Sequence, residues 1–274
     1  MKTNYHTHTN WCDGRDSPED MVRAAIAKGF DVLGFSAHAT FPDDSACTVP
    51  AAKLAAHIAE IRALAAAYAD HIRVLCGLEA DYIPGVTEPS HAWYAAFAPD
   101  YLIGSVHYVI APDGARVPVD HSPPLLQEGL AAHFAGDAEA YLRAYFAQVR
   151  EMVARFDFEI VGHPDLCRKF NVKHPYFDED AAWYREELAK TADAIAASGK
   201  IVEVNTGAIS RGWLDDAYPS PTFRALLRER GVRFVLSSDS HATETLDFAF
   251  GRFASCERYV EDPFAPPRTG EEER

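Results

Sequence analysis

The chain has 274 residues, of which 41 are acidic and 26 are basic, so its formal net charge at pH 7 is −15. This length fits one large domain, such as an α/β barrel. Because the basic residues are scattered and outnumbered, we expect no binding to nucleic acid through its phosphates and no binding to an anionic membrane.

The five cysteines, at positions 12, 47, 76, 167 and 256, form no C-x-x-C pair, and their number is odd. A disulfide framework is therefore not expected, and this usage is typical of a reducing compartment. The N-terminal residues lack the apolar segment of a secretory signal, and no run of about 18 uncharged apolar residues occurs. These features predict a cytoplasmic protein.

Short β-rich runs alternate with longer helical patterns along the chain. The first predicted helix begins with Ser17 as N-cap and Pro18 at the first helical position, and Gly29 ends it. Further helices are predicted over 51–68, 137–155, 178–199 and 221–230. The predicted strands cover residues 3–7, 30–36, 72–78, 101–106, 158–161, 200–204 and 232–236.

These strands are short and rich in Val, Ile, Leu and Phe, which suits a parallel sheet buried on both faces. Seven β–α repeats without a break in composition predict a single-domain α/β barrel, similar to a TIM barrel. Residues 108–136 show no clear periodicity, so we expect a loop over one face of the barrel. We place the folded domain at residues 1–261 and expect the Pro- and Glu-rich residues 262–274 to be a frayed tail.

Imidazole and carboxylate groups follow the ends of the predicted strands. In α/β barrels the active site forms at this C-terminal face, from residues at the ends of several strands. Imidazole and carboxylate are the groups that bind zinc, iron or manganese. The sequence therefore predicts a multinuclear metal site, with the candidate ligands His6, His8, Asp13, His38, Glu79, His107, His163, Asp239 and His241.

Each residue taken alone has a simpler explanation. A histidine at a strand end is usually a hydrogen-bonded loop residue, Asp239 could cap a helix, and Glu79 could pair with an arginine. Chance would have to place such a residue at the ends of six of the seven predicted strands, which favours the metal site. The remaining histidines are expected at the surface: His57, His71 and His91 on or near outward-facing helices, and His121 and His133 in the insertion.

The order His-x-His, Asp, His, Glu, His, His, Asp-x-His resembles the PHP family (polymerase and histidinol phosphatase domains), over roughly residues 3–245. The segments YHTHTNWCDG, GFSAHATFP, GLEADYIPG, YLIGSVHYV and GHPDLCRKF are similar to the histidinol-phosphate phosphatase members. In GFSAHATFP, family members more often carry an acidic residue before the histidine, but this is not a ligand position. The resemblance implies a distorted (β/α)7 barrel.

The resemblance also implies three divalent metal ions, which could be zinc, manganese or iron. The first would be held by His6, His8, Glu79 and Asp239. The second would be held by His107, His163 and a bridging Glu79, and the third by Asp13, His38 and His241. With neutral histidines, the filled site would carry a net positive charge and would attract a phosphate dianion despite the acidic chain.

The implied reaction is hydrolysis of L-histidinol phosphate to L-histidinol and phosphate in histidine biosynthesis, with a hydroxide that bridges two metals as nucleophile. Asp239 or His241 would pass a proton to the leaving alkoxide. Arg168 and Arg211 match positions that bind phosphate in the family, although both could be exposed loop arginines, and Lys169 is a weaker candidate.

Other functions stay open at this point. The same metal site could serve a phosphoesterase that acts on another small phosphorylated metabolite or a nucleotide. The acidic surface disfavours an exonuclease domain, the complete ligand set disfavours a regulatory domain without metals, and the spread of ligands disfavours an amidohydrolase-type barrel. Asp43, Asp44, Tyr82 and Tyr108 could reach the amine or imidazole of the substrate by loop position only, and the oligomeric state is open.

Overall fold

Seven short parallel strands form the central sheet of the computed structural model, which describes residues 1–41 and 47–265. A separate antiparallel hairpin adds β5 and β6, and the order in the central sheet is β1-β2-β3-β4-β7-β8-β9. The bounds are β1 (Thr3–Asn4), β2 (Val32–Phe35), β3 (Arg73–Asp81), β4 (Tyr101–Ser105), β5 (Tyr108–Ile110), β6 (Arg116–Pro118), β7 (Ile160–Val161), β8 (Ile201–Asn205) and β9 (Arg233–Ser237).

The two edges of the sheet meet just beyond β1 and β9. The His8 amide donates a hydrogen bond to the Ser240 carbonyl at 2.8 Å, and the Ser240 amide donates to the His6 carbonyl at 3.2 Å. Thr7 and Ser240 form a parallel bridge between the same segments. The sheet is therefore a nearly closed seven-stranded barrel, which confirms the predicted fold class.

One apolar cluster fills the inside of the barrel and receives residues from all seven strands or their ends. Tyr101 crosses this interior, and its hydroxyl donates to the carbonyls of Tyr5 at 2.6 Å and Phe35 at 3.1 Å. Gly34 and Gly77 lie against the Tyr101 ring, where any Cβ would collide with it. The cluster consists of Tyr5, Val32, Leu75, Tyr101, Ile103, Ile160, Ile201 and Val235.

The helices pack around the outside of this barrel. Among the described residues they are α1 (Pro18–Ala27), α2 (Leu54–Ala67), α3 (Pro123–His133), α4 (Ala138–Arg155), α5 (Ala182–Ser198), α6 (Gly207–Ser210), α7 (Pro221–Glu229) and α8 (Phe250–Phe253). The predicted cap of α1 is confirmed, because the Ser17 hydroxyl accepts a hydrogen bond from the Asp20 amide at 3.2 Å. None of these helices is long and apolar enough to cross a membrane.

The insertion 108–136 is not the loop that the sequence predicted. It contains the β5–β6 hairpin and helix α3. The Gln148 side chain, on α4, donates to the carbonyls of Tyr82 and Tyr108 at 2.8 Å each and so attaches the hairpin to the barrel wall. Two three-residue strands are too brief to produce a recognisable period. Helix α3 was overlooked although its start carries a signal, since Ser122 caps it and Pro123 follows, as Ser17 and Pro18 do in α1.

Residues of the predicted tail pack at the bottom of the barrel. Asp262 accepts hydrogen bonds from the Tyr5 hydroxyl and from Arg73. The Phe264 ring stacks on Tyr101, with ring centroids 4.9 Å apart. These contacts extend the packed chain beyond the predicted boundary at residue 261, while residues 266–274 lie outside the described residues, as do Asp43 and Asp44.

His57 corrects another expectation. It was predicted to face outward, but its side chain is fully buried, and neither ring nitrogen has a hydrogen-bond partner in the part of the chain that the structure describes. Its ring lies 5.7 Å from the Trp11 ring, centroid to centroid. Burial lowers the pKa of His57 to about 4, so the ring stays neutral at neutral pH.

Candidate metal centre

All nine predicted metal ligands lie together at the C-terminal end of the barrel. Glu79, near the end of β3, is at the centre of the group, and its carboxylate is 1% exposed. Five histidine nitrogens surround this carboxylate, at 3.0 Å (His38 Nδ1), 3.0 Å (His163 Nε2), 3.2 Å (His6 Nε2), 3.5 Å (His107 Nε2) and 3.6 Å (His8 Nε2).

Two aspartates complete the group on the side of the barrel closure. Asp13 Oδ2 lies 3.3 Å from His241 Nε2 and 3.7 Å from His38 Nε2. Asp239 Oδ1 lies 3.4 Å from His8 Nε2. Residues from both ends of the chain therefore converge, because the barrel closure joins the segment after β1 to the segment after β9.

The donor set fits bound cations. His6 Nε2, His8 Nε2 and Glu79 Oε2 are buried and have no hydrogen-bond partner among the described residues, although Glu79 Oε2 lies 3.2 Å from His6 Nε2 and 3.6 Å from His8 Nε2. Such atoms carry a desolvation cost that a shared cation would remove. Among the described residues, four groups have ligand atoms within 4.8 Å of one another: His6, His8 and Glu79; His38, Glu79 and His107; His8, Asp13, His38 and His241; and His6, His163 and Glu203.

These groups agree with the predicted ligands but not fully with their predicted division. His38 was assigned to the third metal with Asp13 and His241, yet it also belongs to the group that contains Glu79 and His107. His8 likewise belongs to two groups. His163, which was assigned to the second metal with His107, is grouped instead with His6 and Glu203. The side chains that belong to more than one group are therefore His6, His8, His38 and Glu79.

Charges within the group set its protonation. Burial alone would raise the pKa of Glu79, but His38, His6 and His107 hold that pKa well below its ordinary value. Burial together with His241 and His38 lowers the pKa of His8 to about 3. His8 is therefore neutral and Glu79 is charged, which are the forms that bind a metal ion. Burial alone would lower the pKa of His6, His38 and His107, but the carboxylates around them raise the pKa of each of these histidines, so the three rings are protonated beside Glu79 and would release their protons on binding a metal ion.

The sequence analysis missed two buried carboxylates, each of which contacts a ligand histidine at the ring nitrogen that faces away from Glu79. Glu203, in β8, lies 2.9 Å from His6 Nδ1 and accepts a hydrogen bond from the His163 amide at 3.0 Å. Asp81, at the end of β3, lies 2.7 Å from His107 Nδ1. A carboxylate on the far nitrogen of a ligand histidine fixes the ring and its tautomer. The signal was available, since Glu203 is the one charged residue of the strand IVEVN.

Asp239 has an unusual backbone conformation, with φ at 50°. Arg211 holds it there, because Nη2 donates to Asp239 Oδ2 at 2.8 Å and Nη1 donates to its carbonyl at 3.0 Å. A Cβ at Gly207 would lie 2.8 Å from both Asp239 Oδ2 and Arg211 Nη1. Left-handed backbone in a non-glycine residue is retained where the surroundings over-determine it, and such positions cluster at functional sites.

A cavity of about 440 Å³ opens above the ligand group. This is within the range of about 300–1,000 Å³ that is common for small-molecule sites. Seven of the nine ligands line it, the exceptions being His6 and His8 beneath them. Its remaining wall includes Phe41, Cys47, Thr48, Tyr108, Asp120, His121, Ser122, Leu125, Lys169, Arg211 and Tyr218.

The two predicted phosphate-binding arginines differ in placement. Arg211 lines the cavity and is 34% exposed. Arg168 is buried outside the lining, with Nε donating to Glu179 at 3.1 Å. Lys169, the weaker candidate, lines the cavity instead. Successive residues of this short 3₁₀ segment point in different directions. Lys169, the next residue in the chain, therefore faces the cavity, as Arg168 was predicted to do.

The two predicted proton donors are both engaged in this group. His241 Nδ1 lies 3.0 Å from the Asp239 carbonyl, and His241 Nε2 faces Asp13. Asp239 pairs with Arg211 and faces His8. These contacts place both residues within the ligand group, and their role in proton transfer stays a prediction.

Known proteins are similar to this chain in sequence or in fold. A probable histidinol-phosphatase of Deinococcus radiodurans is 31% identical over 94% of this chain and 92% of its own length. A probable histidinol-phosphatase of Schizosaccharomyces pombe is 29% identical over 88% of this chain and 81% of its own length.

The fold is similar to that of a histidinol phosphate phosphatase from Lactococcus lactis, solved with zinc, L-histidinol and phosphate. The TM-score is 0.60 and the identity 21%, and the match covers 88% of this chain and 87% of that one. The model of the PHP domain family matches residues 4–207. Since this match covers well over half of the chain, the protein belongs to the PHP domain family.

Proposed function

We propose that this protein hydrolyses L-histidinol phosphate to L-histidinol and phosphate, at a site that holds three divalent ions of zinc, manganese or iron. The observation that carries the proposal is the convergence of nine imidazole and carboxylate side chains, with unpaired buried ligand atoms, beneath one cavity. The relatives named as probable histidinol-phosphatases, which align over most of the chain, support the choice of substrate. The role would be in cytoplasmic histidine biosynthesis.

His6, His8, Glu79 and Asp239 would hold one ion, and the ligand groups around His107 and Asp13 would hold the other two. Ions bound there would supply Lewis acidity, which makes water nucleophilic near neutral pH and offsets the charge of the phosphate. Glu203 and Asp81 orient the histidines, so the ligand atoms keep their positions without metal-induced rearrangement.

Arg211 and Lys169 are the cations of the cavity wall that would bind the phosphate oxygens. The Arg211 guanidinium is already oriented by Asp239, so binding would cost little side-chain entropy. We propose that Asp239 or His241, which lie between this arginine and Asp13, would take up the proton released by the attacking water and pass it to the leaving alkoxide.

The test is phosphate release from L-histidinol phosphate beside a panel of nucleotide, sugar and aryl phosphates, with protein reconstituted with manganese or zinc. A preference of about a hundredfold in kcat/KM, or roughly 2.7 kcal/mol, would support the proposed substrate. Comparable rates across the panel would favour a phosphoesterase of broader specificity. No release at all from metal-loaded protein would contradict the proposal.

The number of metals needs its own measurement. We expect about three divalent ions per chain by elemental analysis, and fewer in His241→Ala, which removes one ligand of the Asp13 group. His71→Ala is the matched control, because His71 is an exposed histidine outside the cavity. A wild-type protein that saturates at one ion would contradict the trinuclear site.

A further inference from the structure

Lys169 and Asp120 form an ion pair in the wall of the cavity, above the ligand group. Lys169 Nζ lies 2.9 Å from Asp120 Oδ2 and donates to the Asp120 carbonyl, also at 2.9 Å. Both side chains line the cavity, with 12% and 21% of their surfaces exposed. Asp120 belongs to the insertion after β6, and Lys169 belongs to the segment after β7, so the pair joins two separate parts of the chain.

The charge of Asp120 is maintained in this position. Burial alone would raise the pKa of its carboxyl, but Lys169, His107 and His163 outweigh burial and hold that pKa below its ordinary value. Asp120 is therefore an anion next to a group of metal ligands. An anion at this position weakens the attraction of the site for a phosphate group. It therefore lowers the affinity for substrate, unless it also binds a positive group of that substrate.

Aromatic rings lie in the same wall. Phe41 and Tyr108 meet edge to face, with ring centroids 6.1 Å apart. The Tyr108 hydroxyl lies 3.2 Å from His121 Nε2. All three residues line the cavity. The wall thus offers a cation, an anion and a flat apolar surface, above the floor of the cavity, which is formed by the candidate metal ligands.

We propose that the Lys169–Asp120 pair separates when substrate binds and divides between the two ends of a zwitterionic phosphate monoester. Lys169 contacts the phosphate, and Asp120 contacts the ammonium group on the carbon next to the phosphorylated one. This inference rests on the proposed function and assigns the choice of an amino-alcohol phosphate to Asp120.

The Lys169–Asp120 ion pair would discriminate against phosphate esters that lack an ammonium group. A phosphate ester without an ammonium group would draw Lys169 away and leave the largely buried Asp120 carboxylate without its ion-pair partner. An unpaired charge in such a position is costly, so binding of that ester is penalised. An ester that carries an ammonium group replaces the broken ion pair with two new ones, and the cost is removed.

The test compares two esters that differ by one amine: L-histidinol phosphate and 3-(imidazol-4-yl)propyl phosphate. We expect wild type to prefer the amine-bearing ester by about a hundredfold in kcat/KM. In Asp120→Asn, we expect this preference to fall at least about tenfold, through a higher KM for L-histidinol phosphate and an unchanged or lower KM for the other ester. Metal content should stay at the wild-type value.

Two variants separate recognition from structure. Lys169→Met should lower kcat/KM for both esters, because both carry phosphate. Asp113→Asn is the matched control, since Asp113 is an acidic residue of the same insertion that pairs with His133 at the surface, and it should leave both esters unaffected.

The possible failures are distinct. If Asp120→Asn loses activity equally on both esters, the ion pair only fastens the insertion to the barrel, and the inference is wrong while the proposed function stands. If wild type cleaves both esters equally well, the inference and the proposed substrate are both wrong, but the phosphatase chemistry stands. If wild type cleaves neither ester, the proposed function itself fails.

Discussion

The floor and the wall of the cavity are built in different ways. The floor consists of side chains at the ends of the barrel strands, where parallel hydrogen bonding fixes each backbone position, and its central ligands are almost completely buried. The wall comes from the insertion 108–136 and from the segments after β2, β7 and β8, and its charged side chains are partly exposed. Under the proposed function, the comparison teaches that the metal chemistry lies on rigid strand ends, whereas selection among substrates lies on the segments added around them.

The largest effect is expected at the centre of the floor. Glu79→Gln removes the charge that five histidines face, and we expect activity to fall by about a thousandfold or more together with a loss of bound metal. Steady-state kinetics and elemental analysis measure this. Glu229→Gln, at an exposed position on α7, is the control. Wild-type metal content and activity in Glu79→Gln would show that the floor is not a metal centre.

A smaller loss of activity is expected when Glu203, which contacts the ligand histidine His6, is changed. Glu203→Gln keeps the shape of the side chain but weakens its hold on His6 Nδ1, and loss of such a partner typically costs about 10- to 100-fold in metal affinity or activity. Competition with a metal chelator measures the affinity. Excess metal should restore much of the activity, whereas an unfolded variant would not recover. Unchanged metal affinity would mean that Glu203 has only a packing role.

Next is the comparison of two neighbouring cations in the wall. Lys169→Met should raise the KM for a phosphate ester by about tenfold, because its ammonium group lines the cavity. Arg168→Met should leave KM nearly unchanged and lower the melting temperature, because its guanidinium pairs with Glu179 away from the cavity. The opposite result, with KM raised only in Arg168→Met, would restore the original assignment of this arginine.

The smallest effect on activity is expected outside both regions, at His57. Its pKa is about 4 in the folded protein and near 6.5 when unfolded, so its neutral form is favoured by folding. This contribution is fully present above pH 6.5 and is lost as the pH falls toward 4, at about 1.4 kcal/mol per pH unit. His57→Leu should therefore lose less stability than wild type between pH 7 and pH 5 in urea unfolding. Parallel curves for the two proteins would contradict this assignment.

Much of the floor was predictable from the sequence because strands impose a simple rule. Side chains two residues apart share a face, so His6 and His8 could be paired without a structure. The same rule applies to Glu79 and Asp81, where only the first was recognised. Asp239 and His241 were paired by the same rule and do lie together, but they follow the end of β9 and Asp239 has a left-handed backbone, so strand alternation is not the cause. His57 follows Leu54 by three residues and precedes Ile61 by four, which is the spacing of a buried helical face, so its burial could also have been predicted.

The wall was not predictable to the same degree. The choice between Arg168 and Lys169 depends on how a 3₁₀ segment is turned, and the presence of Asp120 depends on how a short hairpin docks on helix α4. The approach of Phe264 to Tyr101 depends on the chain returning beneath the barrel. None of these contacts leaves a periodic pattern, because each joins segments distant in sequence.

By itself, the sequence determined the α/β class, the seven strands, the helix caps and the identity of nine candidate ligands. Those features follow from local rules: backbone propensity, period-two alternation and the position of polar residues at strand ends. Only the tertiary structure decided which ligands share a subsite, which carboxylates hold them from behind, and which cation faces the cavity. Those features depend on distances across the barrel, which are set by strand register and by the packing of the inserted segment.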